Sequence, residues 1–120
     1  MQSEEPMTQN RRSAERVPMS PEKPVYAQLV FEGIALNIFV ENLSTGGALL
    51  MCPDICEALH VGRRLADGVL VLPDTEKAMV DVIVRWKFWP RVGVQFDGIS
   101  PQTTAQLSLF LESLKATALP

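Results

Sequence analysis

The chain has 120 residues, 47% hydrophobic and 21% charged, with a formal net charge of −3. That length and apolar content fit one domain with an ample core and exclude a disordered chain. No apolar run approaches the ~18 residues needed to cross a bilayer, so membrane insertion is not expected, and the acidic balance argues against DNA or RNA as a partner.

Residues 1–24 form the first compositional block. They hold no aromatic residue and carry Pro6, Pro18, Pro21 and Pro24. Such a stretch buries too little apolar surface to offset its ordering entropy, so a flexible segment is expected. It also lacks the apolar core of a secretory signal, which points to a cytoplasmic protein. Four of the 11 basic residues lie in it: Arg11, Arg12, Arg16 and Lys23. Arginine presents a planar set of donors suited to bidentate contact with phosphate or with the O6/N7 edge of guanine. On its own the cluster has two readings, an anion-binding element or a solvated basic patch.

From Val25 the texture becomes that of strands. Val25, Ala27, Leu29 and Phe31 alternate with Tyr26, Gln28 and Val30, Glu32-Gly33 reads as a hairpin turn, and Ile34, Leu36, Ile38 and Val40 alternate again. The second run leads straight into Asn42-Leu43-Ser44-Thr45-Gly46-Gly47, a turn-rich segment of the form N-x-S-x-x-G. Asn42 and Ser44 offer polar side chains, and Gly46 and Gly47 permit close backbone approach. A plain hairpin turn uses the same residue types for local reasons. Ala48–Met51 resumes as a short strand, Pro53–Leu59 reads as a loop or one helical turn, and Val61–Arg64 as another turn.

Val69–Leu72 reads as a short buried strand stopped by Pro73. Lys77–Trp86 is the longest run, with Val80, Val82 and Val84 on one face. Lys87–Pro90 turns the chain, and Val92, Val94 and Phe96 point one way in the last strand. By parity Trp86 continues the Val80/Val82/Val84 core face. Ser100-Pro101 is a helix start. Leu107, Phe110, Leu111 and Leu114 follow at the spacing of an amphipathic helix of about four turns. Six or seven short strands with tight turns, then one helix, predict a mainly β fold with an antiparallel barrel or sandwich. The divisions expected are 1–24 for the flexible segment, 25–99 for the strands and 100–120 for the helix. Cys52 and Cys56 read as buried or partly buried thiols, with no metal set nearby. His60 has no nucleophile paired with it, and nothing supports an enzyme.

Arg12-Ser13-Ala14-Glu15-Arg16 (R-x-x-x-R), followed by N-x-S-x-x-G and a barrel-like strand series, resembles the PilZ domain, a bacterial receptor module for cyclic di-GMP. The closing segment Arg91–Phe96 (R-V-G-V-Q-F) is also similar to that family's last strand. The resemblance implies a six-stranded antiparallel PilZ-type β-barrel with a C-terminal helix. It further implies that cyclic di-GMP is clamped between the arginine-bearing tail and the N-x-S-x-x-G turn. The site it implies is Arg12 and Arg16 on phosphates or guanine edges, Asn42, Ser44, Gly46 and Gly47 in the turn, and Trp86 stacking on a guanine. Arg11, just before the motif, implies two intercalated ligand molecules per chain, against the reading that it is merely solvated. No cofactor is expected beyond this ligand. A chain read as a stand-alone receptor needs a downstream protein, which the sequence does not name. The rival reading is an adaptor of the same fold that binds protein and no nucleotide.

Overall fold

The computed structural model describes residues 16–73 and 77–118, with side chains through 114. The strands are β1 (Val17–Pro18), β2 (Val25–Phe31), β3 (Ile34–Leu43), β4 (Gly47–Met51), β5 (Arg64–Val71), β6 (Ala78–Phe88) and β7 (Arg91–Asp97). A 3-10 turn at Cys56–Ala58 separates β4 from β5, and one α-helix, α1 (Pro101–Ala118), ends the described chain.

Period-two alternation drives the architecture. Val25, Ala27, Leu29 and Phe31 of β2 are buried, as are Val80, Val82 and Val84 of β6 and Val92, Val94 and Phe96 of β7. Each strand thus has one apolar face, and six of them curl so that these faces meet. The antiparallel order is β3-β2-β5-β6-β7-β4, and β4 pairs back onto β3 to close the barrel. Closure leaves no open edge among the six, the feature that protects short strands from edge-to-edge association. The hairpin expected at Glu32-Gly33 is present: both residues take positive φ, 53° and 81°, as a two-residue turn between right-twisted strands requires.

The chain enters before the boundary expected at residue 24. β1 pairs Val17 with Leu43 and Pro18 with Asn42, on β3 beyond the point where β2 ends at the Val25–Val40 pair. Met19 follows, buried, with its N–H donating to the Glu41 carbonyl at 2.9 Å. A Met-flanked dipeptide is too short to show a period, which is why the sequence pattern misses it.

Helix α1 begins at Ser100, whose Oγ accepts from the Thr103 N–H at 3.1 Å. Leu107, Phe110 and Leu111 are buried in the same cluster as the barrel interior, and Leu114 packs partly against it. Burying a Leu or Phe side chain contributes roughly 1.5–3 kcal/mol, so this stripe docks the helix. At the far rim the Lys87 ammonium donates to the carbonyls of Cys56 and Glu57 at 3.0 and 3.1 Å. Trp89 Nε1 donates to the Pro53 carbonyl at 3.3 Å. These bonds tie the β6–β7 hairpin to the 3-10 segment, where Cys56 and Leu59 are buried.

Candidate functional site

Three β-bulges interrupt the alternation, and two of them build one surface. In β3 the register shifts between Val40 and Asn42: Val40 faces Leu50, and Asn42 already faces Leu49. Glu41 is the extra residue. In β6 the shift falls between Val84, which faces Val94, and Trp86, which faces Gly93. Arg85 is the extra residue there. A bulge inserts one residue and so reverses which side of the sheet the following side chains face. Val40 and Val84 point into the core; Asn42 and Trp86 point out.

The pairings then join into one lateral row on the outer wall. Pro18 pairs with Asn42, Asn42 with Leu49, Leu49 with Gly93, and Gly93 with Trp86. Leu49 and Gly93 form the floor. A Cβ at Gly93 would collide with the Trp86 indole, so that ring lies directly over the glycine. Trp86 is 42% exposed, so it does not continue the core face of Val80, Val82 and Val84.

At the other end of the row Arg16 is exposed and its Nη1 donates to Asn42 Oδ1 at 3.3 Å. The arginine-bearing arm and the N-x-S-x-x-G segment therefore meet, through β1, on this wall. Arg11 and Arg12 lie outside the described residues.

The turn after β3 is built from within. Ser44 is buried, at 2% exposure. Its Oγ accepts from the N–H groups of Gly46 and Gly47 at 3.0 and 3.1 Å and donates to the Gly47 carbonyl at 3.3 Å. The Ser44 N–H also donates to the Gly47 carbonyl, at 2.9 Å. The hydroxyl thus shapes the turn. Gly47 needs to be glycine for space: a Cβ there would run into the Val94 carbonyl of β7. Gly46 is exposed, and its carbonyl accepts from the Phe96 N–H at 2.9 Å, fastening the turn to β7.

The remaining polar features lie off this row. Arg64 binds Asp81 and, at 2.8 Å, Asp97, joining β5, β6 and β7; these two carboxylates hold its pKa above the usual arginine value. Arg63 lies 4.9 Å over the Phe31 ring. Cys52 and Cys56 are free and buried, and burial, with Cys56 adding to it, pushes the Cys52 thiol up to about 11. A protonated, enclosed thiol is a poor nucleophile. Sequence reasoning missed Gly93 and Leu49 as the floor. The signal was the lone glycine interrupting R-V-G-V-Q-F.

A family model described as PilZ domain matches residues 10–113. Among solved structures the chain is similar to MrkH of K. pneumonia in its c-di-GMP complex, with a TM-score of 0.78 and 19% identity over 90% of this chain and 54% of that one. It is also similar to YcgR from Escherichia coli in complex with c-di-GMP, with a TM-score of 0.76 and 23% identity over 90% of this chain and 47% of that one. The PilZ domain of YcgR with c-di-GMP gives a TM-score of 0.72 and 20% identity, over 90% of this chain and 94% of that one. The chain thus spans about half the length of MrkH and of full YcgR. No curated protein matches it in sequence. A family model spanning residues 10–113, on a closed six-stranded barrel with one C-terminal helix, shows that the chain belongs to the PilZ domain family.

Proposed function

We propose that this chain is a cyclic di-GMP receptor whose ligand lies on the outer wall along the row from Arg16 and Asn42 to Trp86. The observation that carries this reading is the pair of bulges, which turn Asn42, bonded to Arg16, and the exposed Trp86 indole outward on one row across Leu49 and Gly93. A guanine has a face for Trp86 and an O6/N7 edge for arginine, and base–aromatic stacking contributes roughly 1–3 kcal/mol. The phosphates take the remaining guanidinium groups. Arg12 and Arg16 act as the clamp from the N-terminal side, and Ser44, Gly46 and Gly47 give the turn beneath the ligand its shape. The c-di-GMP complexes of MrkH and YcgR support the ligand class. Output then passes to a protein partner in the cytoplasm.

Calorimetric titration tests the reading. Cyclic di-GMP should bind with micromolar or tighter affinity, and GTP and cyclic GMP far more weakly. Saturation should come at two ligands per chain, falling towards one in Arg11→Ala, because a third guanidinium offsets the charge of four stacked phosphates. A flat titration at about 100 µM ligand, well above a micromolar constant, overturns the receptor reading.

A further inference from the structure

Five arginines fall among the described residues, and their partners divide them. Arg64 and Arg91 are held by carboxylates, Arg64 by Asp81 and Asp97 and Arg91 by Glu41 at 2.7 Å. Arg63 lies over the Phe31 ring. Arg16 and Arg85 are different: each is bonded to a neutral side-chain amide. Arg16 donates to Asn42, and Arg85 Nε donates to Gln95 Oε1 at 2.6 Å. A neutral amide fixes a guanidinium without offsetting its charge. Because Nε makes the bond, both terminal amino groups of Arg85 keep their donors, and neither has a hydrogen-bond partner among the described residues.

Placement gives this exposed cation its meaning. Arg85 is the bulged residue directly before Trp86. Gln95, its anchor, pairs with Gly47 on one side and Ile83 on the other, two residues along β7 from Gly93 and on the same face. The two arginines on amides therefore bracket the floor, Arg16 from the β1–β3 side and Arg85 from the β6–β7 side. The Trp86 ring covers Gly93 itself, so an anion in this row would lie beside the ring, on the outer face that carries both guanidinium groups.

We infer that Arg85 is a further ligand-contact residue, which takes a phosphodiester of the bound cyclic dinucleotide from the β6 side, and that Gln95 is its positioning residue. The inference rests on the cyclic di-GMP reading of the row. Guanidinium binds phosphate through two parallel donors, so both the charge and the orientation set by Gln95 contribute.

The test is titration of cyclic di-GMP into the wild type, Arg85→Ala, Arg85→Lys and Gln95→Ala, with Arg63→Ala as an off-site arginine. Arg85→Ala should bind about tenfold more weakly. Arg85→Lys should fall between it and the wild type, because it keeps the charge and loses the planar donors. Gln95→Ala should lose part of the affinity, and Arg63→Ala none. The wild-type affinity should fall more steeply with added salt than that of Arg85→Ala, a readout that a merely structural role does not move. Normal binding by Arg85→Ala, or equal weakening by Arg63→Ala, overturns the role of Arg85 and leaves the receptor reading standing. No binding by the wild type overturns both.

Discussion

At Gly93 a hydrogen stands where any other residue places a Cβ, and the Trp86 indole fills that space. Gly93→Ala should push the ring off its floor. Overpacking of this kind costs roughly 1–3 kcal/mol in a closed core, and less here because the indole is partly exposed. Affinity for cyclic di-GMP should fall about tenfold, as in Trp86→Ala, and the double variant should lose no more than either single one. An additive double variant would show that the two residues act separately. Arg16 belongs to the same scale. Arg16→Ala removes a charged donor that touches Asn42 in an exposed position. Binding should weaken about tenfold, and thermal stability without ligand should barely move, because exposed contacts of this kind contribute little. Normal binding by Arg16→Ala would remove it from the site.

The elements divide into those that alternation makes legible and those that it hides. The core faces of β2, β6 and β7 follow from every second residue, and the start of α1 from Ser100-Pro101 and its apolar stripe. Ser100→Ala should cost about 1 kcal/mol of stability through the lost N-cap, read as a lower denaturation midpoint, with ligand affinity unchanged. The bulges were not legible. Simple alternation carries Asn42 and Trp86 to the inside, on the parity of Val40 and Val84, and only the extra residues Glu41 and Arg85 turn them out. A bulge is decided by the partner strand, which one strand's pattern does not contain. Asp67-Gly68 shows the same limit. It is the bulge within β5, with Asp67 at φ 62° and its N–H donating to Asp81 Oδ1 at 2.8 Å. That is why β5 starts at Arg64 rather than at Val69. Leu43 likewise looks like part of a turn and is fully buried at the end of β3.

For the whole molecule, closure of the barrel explains how residues far apart in the chain come to one wall. Asn42 and Trp86 are separated by 44 positions in sequence, and the pairs β3–β4, β4–β7 and β7–β6 bring them to two ends of one four-residue row. The motifs named Arg16 and the turn, but the floor of Leu49 and Gly93 beside them exists only once six strands have closed. On the proposed reading, a wall with Trp86 already turned outward lowers the ordering cost of binding. The rim opposite helix α1 exposes Phe88 and Trp89 at 78% and 62% and supplies the internal control. Amide and indole chemical shifts of the labelled protein, followed as cyclic di-GMP is added to about 100 µM, address the central claim most directly. The account predicts changes concentrated at Gly46, Gly47, Leu49, Gly93 and the Trp86 indole, with the Trp89 indole nearly still; changes centred on Phe88 and Trp89 or on α1, or none at all, would contradict it.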